Sequence, residues 1–136
     1  MKKLIITILV LVLALPVSAQ KVYRSEVLKS YRSGTMKLYE TEGKTYSIIF
    51  KTGNRYTPTF PCVLGDRENA LRLLEFLRDL KLGDDDVVDL ENETKNWVKR
   101  GLWGSLRIIS EGNQFSYDIT KKEIKGMIEV IENNEQ

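Results

Sequence analysis

The chain has 136 residues, 21 basic and 19 acidic, and no histidine. The missing imidazole excludes Ser-His-Asp and Cys-His catalysis, histidine proton relays and the usual histidine-ligated catalytic zinc. Cys62 is the one cysteine, so no internal disulfide forms, and the small net charge argues against nucleic acid as a partner.

Lys2 and Lys3 open the chain, and a run that is apolar except for Thr7 covers residues 4–15, the layout of a secretory signal peptide. Pro16 breaks that run, and Val17-Ser18-Ala19 supplies an A-x-A-like cleavage site with Gln20 as the new N-terminus. As a helix the apolar run would rise roughly 18 Å, against a hydrocarbon core of about 30 Å, which disfavours an uncleaved span. A lipoprotein would need cysteine after the cleavage point, where Gln20 stands. The expectation is therefore a cleaved signal over residues 1–19 and a single small globular domain over 20–136, periplasmic or secreted, with no membrane span after cleavage. Loss of Lys2 and Lys3 leaves basic and acidic residues equal in number. Their distribution is uneven: residues 20–65 carry eight basic and three acidic side chains, residues 66–93 four and ten. Attraction between these segments, within the fold or head to tail between copies, is the expected use of that polarity.

Alternation of apolar and polar residues predicts strands over 22–30, 35–41 and 45–51, with turns at Ser33-Gly34 and Glu42-Gly43. A three-residue loop in the second turn sets Leu38 opposite Ile48 and Met36 opposite Phe50, gathering the apolar side chains on one face. Residues 55–64 read as an edge or partial strand, because Pro58 and Pro61 cannot donate ladder hydrogen bonds. Cys62, among Phe60, Val63 and Leu64, is expected to be a buried, inert thiol. Asp66 then caps a helix in which Ala70, Leu73, Leu74, Leu77 and Leu80 recur at helical spacing, until Gly83 offers a left-handed stop.

Asp84, Asp85, Asp86, Asp89, Glu91 and Glu93 crowd oxygen atoms together. An EF-hand loop starting at Asp84 would need an oxygen ligand and a glycine where Val88 and Asp89 stand, so no metal site is assigned and the stretch reads as a solvated acidic loop. Asn92-Glu93-Thr94 is a glycosylation sequon. Residues 94–100, with Trp97 and Val98, are expected to form a short helix ended by Gly101. Residues 102–110 and 113–119 flank Glu111-Gly112 and predict a hairpin that sets Ile108 beside Phe115 and Leu106 beside Tyr117, with Leu102 and Ile119 continuing that face. Thr120 and Glu123 form a capping box for a last helix whose buried stripe is Ile124, Met127, Ile128 and Ile131, with Ile119 stapled onto Ile124.

Two groups of strands, each followed by an amphipathic helix, predict an α+β domain with a mostly antiparallel sheet and both helices on one face. The alternative is a small, partly closed β-barrel capped by the C-terminal helix. Neither catalytic residue nor cofactor is assigned. The small, histidine-free chain, with tyrosine, arginine and tryptophan suited to interfaces, reads as an exported non-catalytic binding or inhibitory module for an unknown protein or other extracytoplasmic ligand. A small extracytoplasmic hydrolase with paired carboxylates is the alternative, and requires two acids converging across a cleft about 5 to 10 Å apart. Strand parity turns Trp103, Arg107 and Ile109 away from the helices, which makes them the candidate partner-binding residues.

Overall fold

The computed structural model describes residues 24–42 and 44–134; the expected signal peptide, with its cleavage residues Ala19 and Gln20, lies outside them. In chain order come β1 (Ser25–Tyr31), β2 (Met36–Thr41), β3 (Thr45–Lys51), β4 (Thr59–Gly65), α1 (Arg67–Asp79), β5 (Val87–Asp89), β6 (Trp97–Arg100), β7 (Leu106–Ile109) and α2 (Lys121–Asn133), with 3-10 turns at Arg32–Gly34 and Leu102–Gly104. The strands form two antiparallel sheets, ordered β1-β2-β3-β4 and β5-β6-β7. Neither closes into a barrel, and the fold is α+β. Among the described residues no helix is long and apolar enough to cross a membrane.

The first sheet follows its alternation. Leu38 pairs with Ile48 and Met36 with Phe50, as a three-residue loop requires. Met36, Leu38, Tyr46, Ile48, Phe50, Phe60, Cys62 and Leu64 all turn to the buried side. There they meet the helices: α1 lies against β3 and β4, α2 beside α1 and against β1. Ala70, Leu74, Leu77, Ile124, Met127 and Ile131 complete the core. Asp66 accepts the Asn69 amide and starts α1, while the Thr120–Glu123 capping box starts α2 with both of its reciprocal bonds.

Several expectations are corrected. The first helix ends at Asp79 rather than at Gly83, because Leu80 is already extended and a side chain does the capping. Lys121 Nζ donates to the Leu77 and Leu80 carbonyls at 2.7 and 2.5 Å, placing a cation at the helix's negative end. Burial there lowers the Lys121 pKa. Residues 97–100 are a strand, not a helix: β6 lies between β5 and β7, with Val98 buried against Ile108, a position that suits its β-branched side chain.

The predicted hairpin also slips. Ile109 pairs with Phe115 and Leu106 with Ile119, so the offset changes by one residue between the two bridges. The cause is Ser116, whose Oγ accepts the Ile108 amide at 3.0 Å while its own amide donates to the Ile108 carbonyl. A side chain has replaced a ladder carbonyl, and Phe115 and Tyr117 are turned outward to 40% and 47% exposure. Leu102, expected on the inner face, is 69% exposed. Among the described residues no ion pair links 24–65 to 66–93, although α1 packs against β3 and β4.

The far edge of the first sheet is closed in an unexpected way. Among the described residues β4 has β3 as its only strand neighbour, which leaves outward carbonyls and an amide to satisfy. Thr94 Oγ1 accepts the Val63 amide at 2.9 Å, and Asn92 Nδ2 donates to the Val63 carbonyl at 2.9 Å. Asn96 Nδ2 reaches both the Pro61 carbonyl of β4 and the Ile109 carbonyl of β7, at 3.3 and 3.2 Å. Its Oδ1 accepts from Asn92 Nδ2 and Thr94 Oγ1. Fully buried Asn96 thus joins one sheet to the other.

Candidate functional site

The three residues singled out from the sequence part company in the structure. β7 pairs with β6 so that Val98 and Ile108 face the core while Lys99 and Arg107, like Trp97 and Ile109, share the outer face. Parity therefore places Arg107 and Ile109 as expected. Ile109 nonetheless falls to 7% exposure, because its neighbours Trp97 and Phe115 cover it, and it offers no surface to a partner. Trp103 belongs to no strand. It sits in the Leu102–Gly104 turn with φ 51° and ψ 50°, and is 97% exposed.

The turn is built by its surroundings. Asp118 Oδ2 accepts the Leu102 amide at 3.1 Å, and Asp118 Oδ1 lies 3.0 Å from Arg107 Nε. Ser105 closes the other side: its Oγ donates to the Leu102 carbonyl at 2.5 Å, its amide donates to the same carbonyl at 3.0 Å, and its own carbonyl accepts the Gly101 amide at 2.8 Å. Gly101 is required by space, since a Cβ there would come within 2.5 Å of Ser105 Oγ and 2.7 Å of Asp118 Oδ1. Gly104, at φ +77°, completes the left-handed passage. For a bulky residue such as tryptophan the left-handed region costs about 1–2 kcal/mol. At 97% exposure the indole returns almost nothing to the core.

The turn adjoins further exposed apolar surface. One hollow is lined by Leu102, Trp103, Asp118 and Lys121 together with Arg32. A second, lined by Gly101, Leu102, Arg107 and Asp118, leads to a third where Arg107 meets Phe115 and Tyr117. Lys99 Nζ stands 5.6 Å from the Phe115 ring centroid, within cation–π range.

A larger concavity among the described residues lies elsewhere, a groove of about 640 Å³ between α1 and residues 89–93. Its carboxylates, Asp89, Glu91 and Glu93, all come from one segment, while the α1 wall offers Asn69, Arg72, Leu73 and Phe76. Asp89 Oδ1 already accepts the Glu91 amide at 2.8 Å. In the acidic stretch before it, Asp84 is paired to Arg100 at 2.6 Å and Asp86 accepts the Gly83 amide at 2.7 Å.

Cys62 lies in the core beneath the Asn92 seam. Burial pushes its thiol up to about 12, and the Asn92 hydrogen bond only partly opposes the rise.

Sequence reasoning missed the turn itself. Gly101 and Gly104, bracketing Leu102-Trp103, were its available mark. Compared with protein-family models, with curated proteins and with solved structures, the chain matches none.

Proposed function

We propose that the protein is an exported, non-catalytic binding module whose contact surface is the Leu102-Trp103 turn and the exposed side chains around Arg107. The observation that carries this reading is Trp103: almost wholly exposed, in a costly backbone conformation, on a turn fixed by Asp118, Ser105 and Gly101. Interface tryptophans of this kind dominate binding energies. Arg107 acts here through Asp118, which it helps to hold in place. The hydrolase alternative gains no support from the main groove, whose carboxylates lie on one wall, whereas glycoside hydrolysis needs acids flanking the bond to be cut. Export rests on the signal-like residues 1–19, and exported material is expected to begin at Gln20 by intact mass.

Trp103→Ala tests the reading. The isolated domain should stay within about 0.5 kcal/mol of the parent by urea unfolding, while affinity for a partner falls by about 2 kcal/mol or more. A loss of about 3–5 kcal/mol in the isolated domain would make Trp103 a core residue and remove the proposed surface.

A further inference from the structure

Two regions apart from the Trp103 turn have matching chemistry. The loop between β3 and β4, residues 52–58, carries Arg55 and Tyr56 at its tip, with Tyr56 83% exposed. Its shape is fixed by its own side chains: Thr52 Oγ1 donates to the Thr57 carbonyl at 2.7 Å and accepts the Asn54 amide at 3.1 Å, and Asn54 Oδ1 accepts the Tyr56 amide at 2.8 Å. The Arg55 guanidinium lies over the Tyr56 ring, 5.5 Å from its centroid, which leaves its edge N–H groups free to meet a carboxylate. Among the described residues Arg55 makes no ion pair, and residues 51–57 hold two cations and no acid.

The groove between α1 and residues 89–93 offers the counterpart. Asp89, Glu91 and Glu93 make no ion pair among the described residues. Arg72 on the facing wall is held by Glu68 and Asn69, so it does not neutralise them. On the same α1 wall Leu73 and Phe76, the latter 44% exposed, supply apolar surface. A planar cation beside an aromatic ring matches these two walls, and a groove of about 640 Å³ has room for both. The chain does not fill its own groove. The loop lies at the Thr59 end of β4 and the groove at the Val63–Gly65 end, roughly 13–20 Å apart along the strand at about 3.3 Å per residue.

We infer that the occupant of this groove is the Arg55-Tyr56 loop of a second copy of the chain, with Arg55 against the carboxylates of Asp89, Glu91 and Glu93 and Tyr56 against Leu73 and Phe76. The contact joins the basic and acidic stretches of the sequence between molecules, in a reciprocal pair or in a row of copies head to tail. It uses no residue of the Trp103 turn and stands apart from that reading. Because its charges sit at an exposed rim, salt weakens it.

The test is sedimentation of the purified protein over a concentration series up to about 1 mM, where even a weak contact is populated. The mean mass should rise with concentration, and the affinity should fall about tenfold as salt is raised from about 0.05 to 0.5 M. Arg55→Glu with Tyr56→Ser, and separately Glu91→Lys with Glu93→Lys, should each abolish self-association while urea unfolding stays that of the parent, since all four side chains are exposed. Mixed together, the two variants should form a heterodimer, because the mixture restores one intact loop facing one intact groove. Lys29→Glu, an exposed site on the opposite edge strand β1, should change nothing. A protein that stays monomeric throughout the series overturns the inference, whatever else the groove binds. Weakening by Lys29→Glu equal to that by the loop substitutions also overturns it, because the association would then be general charge attraction. So does a mixture of the two variants that forms no heterodimer. The loop substitutions lie outside every helix and strand, so they test the contact even where the groove pair disturbs the fold: association unchanged by them overturns it.

Discussion

The two edges of the first sheet are finished in opposite ways. At β1 the outer edge has no strand partner among the described residues, and its protection is ordinary: a β-bulge at Leu28 interrupts the register, and Glu26 and Lys29 put charge along it. At β4 the outward groups are taken by the side chains of Asn92, Thr94 and Asn96, which continue into the second sheet. One edge is kept from pairing; the other is paired without a strand. An edge strand interrupted by Pro61 cannot support a regular ladder, and side-chain amides, which carry donor and acceptor together, fill the gaps that it leaves.

The comparison breaks most sharply at Asn96. Asn96→Ala removes the side-chain bonds to the Pro61 and Ile109 carbonyls and takes the acceptor from Thr94 Oγ1 and from one Asn92 amide hydrogen in a buried place, with an expected cost of about 3–4 kcal/mol in urea unfolding. A cost below about 1 kcal/mol would show that water replaces the side chain and that the sheets do not depend on it.

Cys62, beneath the same seam, has the next effect. Cys62→Ser should cost about 1–3 kcal/mol, since the hydroxyl's hydrogen is buried without an assured acceptor even though Asn92 can donate to its oxygen. The native thiol should react slowly with a thiol reagent, and quickly once unfolded. An exposed thiol titrates near 9.0, whereas the folded pKa is about 12, so the native state holds a proton that the unfolded chain releases. Its stability contribution is full below pH 9 and is lost as pH rises toward 12, at about 1.4 kcal/mol per pH unit within that window. Tyr31, pushed up to about 12 by burial and then by Glu123 and Glu129, has the same sign and should steepen the loss above pH 10. Stability that is flat between pH 9 and 11 would contradict a buried thiol.

The open edge should respond least. Val27→Ala, at a side chain 46% exposed on β1, is expected to cost less than about 1 kcal/mol. A larger loss would mean that β1 is covered by something other than solvent.

These regions also differ in how much their residues disclose. The β2–β3 register was legible because one loop length alone gathers Met36, Leu38, Ile48 and Phe50 on a common face. Pro61 marked β4 as an edge, and Thr120 with Glu123 marked the start of α2. Each of those signals is local. What closes the β4 edge is not: Asn92 and Asn96 find partners 29 to 35 residues away, and a polar run written for that purpose resembles a loop or a short helix. The slip at Ser116 is equally hidden, because alternation assumes that backbone meets backbone. At the candidate site, parity found Arg107 on the outer face but overlooked the cover that Trp97 gives Ile109. It also carried a strand through Trp103, where only the bracketing Gly101 and Gly104 mark the left-handed turn.

The Asn92 seam bears on how the protein can be made. Asn92-Glu93-Thr94 is an acceptor triplet, and Asn92 Nδ2, the atom that would carry a glycan, donates to the Val63 carbonyl and to Asn96 Oδ1. A host that glycosylates the nascent chain would act before those bonds form, leaving the amide with one hydrogen and a bulky sugar where β4 must dock. Secretion through such a host should therefore trap an immature chain, while a host without the modification lets the same three residues complete the fold.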